Sequence, residues 1–449
     1  MARAPRAADV EGVPPEQAPD LTAAPGADKV EVPPAIVAQS LGGYMRAWVA
    51  RIRAGESGVL PVLVGILAIS IYFDARSTVF LSPGNLVNLF QQSAIFMVLA
   101  MAETFALVLG EIDLSIGYVG ACGAAITVQL VQPVTTGWPW WAAIVAGLVF
   151  CLVFGAIQGT LITRLRLPSF IVTLAGFLIG NGMMLWILQR GPFSGYPNLT
   201  GVNGNEQVIY QLMWGTLDPT VSWILMAVAV AALGVYIWLG DWRRRRSGLV
   251  APPASLTLIK IAVIAAVGIV VVAICDQNRA ALGTLEGVPW VMVIVLGVLA
   301  AWTVLFQRTR YGRYIYAIGG NPEATRRAGI NLALVRTGVF ALCSFTAGIG
   351  MLLFASYLGG MSNNVQGGQY VLYAVAAAVI GGTSLFGGRG KPLHGVLGGL
   401  VIGGIYNGMF LLNYDVEPQF IVTGLVLLAA VTIDSLSRRG STSGSVGRV

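Results

Sequence analysis

Few residues in this sequence could carry out a chemical reaction. His394 is the only histidine among 449 residues, so a paired-histidine metal site or a Ser-His arrangement cannot form within the chain. A P-loop requires Gly-x-x-x-x-Gly-Lys-Ser/Thr to hold phosphates. The only Gly-Lys pair, Gly390-Lys391, has Leu385 at the first glycine position and is followed by Pro392. We therefore expect no catalytic residues, no metal site and no ATP hydrolysis by this chain.

Two acidic residues interrupt apolar sequence in the stretch GEIDLSIG (110–117). Carboxylates among membrane helices are costly unless they are solvated, paired or placed at a helix start. Asp113 can N-cap a helix that begins at the next residue. Alternatively, Glu111, Asp113 and Ser115 take part directly in solute passage or gating. Glu103, in the preceding apolar run, should face a partner or a watery cavity, or reach the membrane interface.

Amide side chains inside apolar runs suit a neutral, hydroxylated solute, and they equally suit hydrogen bonds between helices. From these amides we select Gln92, Asn181 and Asn407 as gating or translocation candidates. The full set of such residues is Gln91, Gln92, Gln158, Asn181 and Asn407.

A long polar interruption at residues 308–336 contains the signals of a short, capped helix. Asn321 is a good N-cap, Pro322 suits the first helical position, and Glu323 favours the positive end of the helix. Gly329 can supply a left-handed stop. A helix of roughly seven residues is about 10 Å long and too short to be stable alone, so it must dock against something. The residues expected to matter there are Asn321, Pro322, Glu323, Ala324, Thr325, Arg326 and Gly329.

The composition is that of a membrane protein. The chain is 56% hydrophobic and 10% charged, with 57 glycines and a mean hydropathy of +0.76, whereas soluble domains carry about 25% charged residues. The four cysteines lie in or beside apolar runs and read as small core residues. The net charge of +7 comes from basic residues between the apolar runs, which is a pattern of membrane orientation and not of nucleic-acid binding.

Twelve apolar runs predict an all-α, polytopic membrane protein with about twelve spanning or partly spanning helices. If all twelve cross and both termini are cytoplasmic, most basic loops fall inside, and only Arg76, Arg190 and Arg279 fall outside, as the positive-inside rule requires. The runs are 59–73, 91–109, 113–131, 139–162, 168–188, 221–239, 257–275, 288–306, 337–357, 369–386, 394–412 and 417–434.

The chain divides into four segments. Residues 1–34 predict a disordered cytoplasmic tail, and residues 35–57 an amphipathic helix that lies on the membrane or packs on the protein. Residues 58–436 form the transmembrane domain, with the interruption at 308–336 inside it, and residues 437–449 a cytoplasmic tail. Residues 190–220 predict an external polar and aromatic loop, and the glycines of residues 381–390 predict a tight turn.

Three motifs together resemble the membrane subunit of bacterial ABC sugar importers, of the ribose, xylose and galactoside permease family. They are GEIDLSIG (110–117), RYIYAIGGNPEATRRAGIN (313–331) and AAAVIGGTSLFGGRG (376–390), and they occur in the family's order. The resemblance spans roughly residues 60–436. The extra pair of runs near 221–275 and the sequence Gly-Glu-Ile-Asp-Leu-Ser are closer to the longer, xylose-type members.

The resemblance implies a permease without an ATPase site of its own, in the bacterial cytoplasmic membrane. It implies a cytoplasmic ATPase pair carrying ATP and Mg²⁺, an extracytoplasmic sugar-binding protein and a second permease subunit, which in this family is usually an identical copy. It also implies that residues 321–329 are the coupling helix, which docks into the ATPase. A pentose such as xylose is favoured as substrate, although a binding protein can set much of the specificity. The alternative is an ion-gradient-driven transporter, which requires ionisable relays in the membrane.

Overall fold

The computed structural model describes residues 59–133, 136–189, 198–199, 204–248, 251–280 and 283–443, together with Gly43 and Arg46. The segments predicted as a tail (1–34) and, apart from those two residues, as an interfacial helix (35–57) lie outside these ranges. Over the described ranges the chain is helical, and two isolated β-bridges, Asn198 with Gly360 and Thr216 with Pro289, are the only strand-like pairings.

The described helices, in chain order, are α1 Leu60–Asp74, α2 Pro83–Leu109, α3 Ile116–Val131, α4 Trp140–Arg164, α5 Ser169–Gln189, α6 Asn205–Trp214, α7 Pro219–Arg246, α8 Ala254–Cys275, α9 Trp290–Arg308, α10 Arg310–Gly320, α11 Pro322–Arg327, α12 Leu332–Leu358, α13 Gly367–Ile380, α14 Pro392–Leu411 and α15 Val416–Ser443. Each of the twelve predicted apolar runs overlaps one of them, although the run 369–386 extends beyond the end of α13 at Ile380. Eight are long and apolar enough to cross a membrane, namely α2, α4, α5, α7, α8, α9, α12 and α14.

The bundle is built around α2. Every residue in its apolar stretch is buried, and it packs against α12, α13 and α14, with further contacts to α8, α9 and α10. Small residues make this packing close. Gly395, Gly399 and Gly403 lie four residues apart along α14, and each faces α2 so closely that a Cβ would overlap it. Close backbone approach replaces the hydrophobic force that membrane helices lack between them.

The pair α7–α8 lies at the periphery. Only 6% of the residues in the apolar stretch of α7 and 11% in that of α8 are buried. The two helices pack against each other, and α8 also reaches α2. Between them Thr257 donates a 2.8 Å hydrogen bond to Asp241. This pair corresponds to the runs whose presence favours the xylose-type resemblance.

Two parts of the chain differ from the sequence-based expectation. The predicted loop at 190–220 contains α6, whose Ile209 and Met213 are buried. Ser356 fixes that helix, since its hydroxyl accepts from the Met213 amide and donates to the Tyr210 carbonyl. At the C-terminus, α15 runs to Ser443 and so includes the first residues of the predicted tail.

Candidate functional site

The short helix predicted at residues 321–329 forms as α11. The Asn321 side chain accepts from the Ala324 amide at 2.9 Å, Pro322 is the first helical residue, and Gly329 has φ +81°. The helix ends at Arg327, with Ala328 as its C-cap. The cap and the stop are therefore confirmed, and the helix is one residue shorter than expected.

The residues of α11 have two different orientations. Glu323 is exposed and pairs with Arg326 at 2.8 Å and with Arg327 at 3.5 Å. Thr325, by contrast, is 5% exposed, and its hydroxyl donates to the Asn321 carbonyl. The outward face available to a partner is therefore charged, and Thr325 stabilises the helix from its inner side.

The three motifs meet at one place, which we call the three-motif junction: the end of α2 at Val108 and Gly110, the end of α10 at Gly319, and the loop at Gly387 and Gly388. The Gly388 amide donates to the Val108 carbonyl at 2.9 Å. A Cβ at Gly319 would overlap that same carbonyl, and a Cβ at Gly387 would lie 2.9 Å from the Gly110 amide nitrogen. The junction lies at the end of α10, and α11 follows directly on α10 and packs against α10 and α12.

The turn predicted at residues 381–390 is confirmed by three glycines with positive φ. They are Gly382 at +108°, Gly387 at +81° and Gly388 at +72°, a region that favours glycine. Tyr316 of α10 donates from its hydroxyl to the Gly390 carbonyl at 2.5 Å. The turn is thus fastened to the helix that leads into α11.

Beyond Gly110 the chain turns back along α2. The Asp113 amide donates to Glu103 Oε1 at 3.2 Å, and Asp113 Oδ1 accepts from the Ser115 amide and hydroxyl at 2.9 and 2.6 Å. The Ser115 hydroxyl also lies 3.0 Å from Gln158 Oε1. Glu103, Asp113 and Ser115 are all fully buried.

These contacts correct two expectations. The helix after Asp113 begins at Ile116 and not at the next residue, because Asp113 holds a turn through Ser115 before the helix starts. Glu103 does not reach the interface, since it is buried against the returning chain.

Glu111 forms an ion pair with Arg336, at 3.0 Å between Oε1 and Nε. Arg336 lies in the first turns of α12, so the pair joins the GEIDLSIG stretch to the helix that follows α11. Burial raises the pKa of the Glu111 carboxyl, and the Arg336 guanidinium opposes that shift. The pair fixes the junction to α12.

Gln92 and Asn407 belong to a buried amide network that joins α2 to α14. Asn407 donates to Asn85 at 3.1 Å and to Gln92 at 3.2 Å, and Asn85 donates back to Asn407 at 2.9 Å. Gln92 donates onward to the Tyr357 hydroxyl at 3.2 Å. These two candidates therefore act as interhelical hydrogen-bonding residues in this structure.

Asn181 lies apart from that network, in an open polar cavity of about 650 Å³. The cavity lies where α3 and α13 begin, and a Cβ at Gly117 would overlap the Gly367 carbonyl there. We call it the amide cavity. Its lining residues are Tyr118, Asn181, Leu185, Asn363, Asn364, Val365, Gln366, Gly368 and Gln369.

The amide cavity offers unused hydrogen-bonding groups beside an aromatic ring. Gln369 donates to the Tyr373 hydroxyl at 2.8 Å. The side chains of Asn181, Asn363, Asn364 and Gln366 make no hydrogen bond to any residue that the structure describes. Amides provide both donors and acceptors, and so the site can bind a neutral molecule that carries several hydroxyl groups.

The sequence-based selection found Asn181 but missed the amides between α12 and α13. A signal was available in SNNVQGGQ (362–369), a run of amides between two apolar segments. The helices on either side of the cavity gave a second signal. Short or Gly-interrupted segments often mark the binding site of a transporter, and α3 and α13 are both short.

Comparisons with known proteins agree on one family. Residues 85–431 match the family described as branched-chain amino acid transport system, permease component. The xylose transport system permease protein XylH of Escherichia coli K12 is 33% identical over 385 residues, which are 85% of this chain and 93% of that protein. XylH of Haemophilus influenzae is 33% identical over 394 residues, 87% and 99% of the two chains.

The ribose import permease protein RbsC of Escherichia coli K12 is 28% identical over 376 residues, 83% of this chain and 92% of that one. No solved structure matches the chain.

Proposed function

The chain belongs to the permease-component family of branched-chain amino acid transport systems, and on that premise we propose that it is the membrane subunit of an ATP-driven sugar importer. The membership confirms the resemblance that the three motifs indicated. Together with the eight candidate spans, it makes the chain a multi-pass protein of the cytoplasmic membrane. The proposed substrate is a monosaccharide, with a pentose such as xylose favoured.

The observation that carries the proposal is the exposed, charged helix α11, which follows directly on α10, the helix whose end at Gly319 belongs to the three-motif junction. The junction contacts α2, the helix around which the bundle is packed. A partner that pushes on Glu323 and Arg326 would therefore act on α2 and, through the Glu111–Arg336 pair, on α12. Rigid-body movement of packed helices is a recognised way of switching access in transporters.

The proposed partners follow from the family and from the absence of a P-loop. A cytoplasmic ATPase pair would hold ATP and Mg²⁺ and dock on α11, a second copy of this chain would complete the pathway, and a soluble protein would deliver the sugar. In the proposed topology all twelve apolar helices cross or enter the membrane and both termini are cytoplasmic. The distribution of basic residues supports this orientation.

The amide cavity is the proposed sugar site. Asn181 lies twelve residues beyond Ser169, or about 18 Å along α5. In the proposed orientation this places the cavity past the middle of a hydrocarbon core about 30 Å thick, where it opens outward. Relatives named as xylose and ribose permeases support a sugar, and the amides of the cavity suit its hydroxyl groups.

The test is to purify the chain with its co-expressed neighbours, identify the proteins that accompany it, and reconstitute the complex in liposomes. Removing residues 322–328 should abolish ATPase stimulation by the loaded sugar-binding protein. Glu323→Arg/Arg326→Glu should lower it strongly while leaving the fold intact, because both side chains are exposed.

The matched control is Arg313→Gln, an exposed arginine on the preceding helix, which should leave the stimulation unchanged. Normal coupling after removal of 322–328 would refute the proposal. Uptake that persists without ATP but collapses with the ion gradient would instead indicate a secondary transporter, in which Glu103 and Asp113 would be the relay to study.

A further inference from the structure

A second cavity lies between the ends of α7 and α9. It has a volume of about 580 Å³ and is separate from the three-motif junction and from the amide cavity. We call it the arginine groove. Its lining includes Tyr236, Gly240, Asp241, Arg243, Arg244 and Arg308.

The helical repeat explains how α7 forms one wall of the groove. Tyr236, Gly240, Arg243 and Arg244 are separated by four, seven and eight residues, and so share one face. On the opposite wall the Arg308 guanidinium lies 5.1 Å from the centre of the Tyr236 ring. Three arginines from two helices therefore surround one space.

Among the residues that the structure describes, none of the three arginines of the groove forms an ion pair. The ion pairs in the part of the chain that the structure describes join Glu323 to Arg326 and Arg327, and Glu111 to Arg336. Asp241, the acid at the groove, accepts a hydrogen bond from Thr257 of α8. The planar guanidinium group of arginine can donate two parallel hydrogen bonds to the oxygens of a phosphate group.

Apolar surface continues from the groove along both helices. Leu233 precedes Tyr236 by three residues and Val304 precedes Arg308 by four, and both are exposed large hydrophobic residues. Because α7 is almost unburied along its apolar stretch, this surface would face the hydrocarbon of the bilayer in the proposed topology. A ligand for the whole site would combine an anionic head with apolar chains.

We propose that the arginine groove binds an anionic phospholipid, with its phosphate between Arg243, Arg244 and Arg308 and its acyl chains along Leu233 and Val304. Basic pockets between helices at the cytoplasmic side are suited to such headgroups. Placement in the cytoplasmic leaflet rests on the proposed orientation, whereas the preference for the lipid does not. Lipid binding would anchor the otherwise loosely held α7–α8 pair.

The experiment compares lipid adducts on the purified chain in neutral detergent by native mass spectrometry, with phosphatidylglycerol and phosphatidylcholine of identical chains. Wild type should prefer phosphatidylglycerol. Arg243→Gln/Arg244→Gln/Arg308→Gln should lose that preference by on the order of a hundredfold, because each of the three arginines near an anionic lipid contributes several-fold. The control Arg164→Gln/Arg166→Gln/Arg313→Gln removes equal charge from exposed positions elsewhere and should retain it.

Equal losses in the two triple variants would overturn the proposal, since general charge would then explain the preference. Suppression of the adduct by equimolar inorganic phosphate would also overturn it, because a site for the free ion alone needs no chains. So would an unchanged lipid preference with loss of the co-purified ATPase, which would make the groove a protein contact. Equal thermal unfolding midpoints of wild type and variants in phosphatidylcholine verify that the variants fold. None of these measurements depends on sugar transport, so the lipid proposal can fail independently of the proposed function.

Discussion

The α2-centred core and the peripheral α7–α8 pair obey different rules. The most apolar of the eight candidate spans, α8, lies outside with few buried residues, whereas the two least apolar, α2 and α14, pack against each other inside. Lipid tails are as apolar as leucine, so hydrophobicity does not draw helices together in a membrane. What selects the inner helices is the combination of glycine contacts and paired amides.

The polar groups of the two regions differ accordingly. In the core, Asn85, Gln92 and Asn407 satisfy one another. In the peripheral pair, the charged groups lie at a helix end, where Arg243 and Arg244 have no acidic partner among the residues that the structure describes. The core therefore uses its polarity for cohesion, and the periphery leaves its polarity available to ligands.

The largest contrast should come from adding one methyl group to a glycine of each region. Gly399→Ala places a Cβ 2.6 Å from the backbone of Met97 and should destabilise the protein by up to about 3 kcal/mol. Gly240→Ala meets no atom within 4 Å and should be neutral or stabilising by up to about 1 kcal/mol. Thermal unfolding in detergent measures both, and similar costs at the two positions would contradict the contrast.

Removing hydrogen bonds should produce a smaller difference in stability between the core and the peripheral pair. Asn407→Leu leaves Asn85 and Gln92 without their shared partner and should cost about 1–2 kcal/mol. Thr257→Val removes a single bond to Asp241 and should cost about 0.5–1 kcal/mol. The double variant tests independence, because the sites share no partner and their effects should add. A larger cost for Thr257→Val would mean that the peripheral pair is the more cohesive region.

The stability costs of removing a largely buried and an exposed ion pair should differ by a smaller amount again. Glu111→Gln removes the largely buried partner of Arg336 and should cost about 1 kcal/mol. Glu323→Gln loosens an exposed pair on α11 and should change stability by less than about 0.5 kcal/mol. Unfolding midpoints of the single variants at low and high salt test this difference, because screening should affect the exposed pair more strongly than the partly buried one. Equal salt sensitivity would contradict the assignment.

The smallest effect on stability should accompany a clear effect on transport. Asn181→Ala and Gln366→Ala remove unpaired amides of the cavity, so stability should stay within about 0.5 kcal/mol. If the cavity holds sugar, each should raise the half-saturating concentration of loaded binding protein, or lower uptake, about fivefold. Gln91→Ala is the control, because its amide bonds to the Met213 carbonyl outside the cavity. Destabilisation without a transport defect would contradict the assignment.

Local signals in the sequence predicted local structure well. Asn321, Pro322 and Gly329 predicted the ends of α11 to within a residue because capping depends on neighbours in the chain. The start of α3 was wrong by two residues because Asp113 bonds to Ser115, and its amide to Glu103, before the helix begins. Helix propensity and capping signals depend on neighbouring residues, so they do not include the contact between Asp113 and Glu103.

Long-range arrangement could not be read from the sequence. Asn407 and Gln92 were indistinguishable from Asn181 as amides in apolar runs, yet two are paired and one lines a cavity. The meeting of Gly319 with Val108 and Gly388 joins residues far apart in the chain. The family resemblance indicated that these motifs matter, while the structure shows that they touch.

The contacts between backbone atoms at the three-motif junction have a mechanical consequence. Where Gly388 bonds to Val108 and Gly319 fits against the same carbonyl, peptide backbones bear directly on one another. Side chains between two moving segments can change rotamer and so absorb part of a displacement. Backbone atoms in direct contact cannot absorb a displacement in this way. A displacement of α11 and α10 would therefore pass to α2 through backbone contacts, and replacing a glycine of the junction would disturb those contacts.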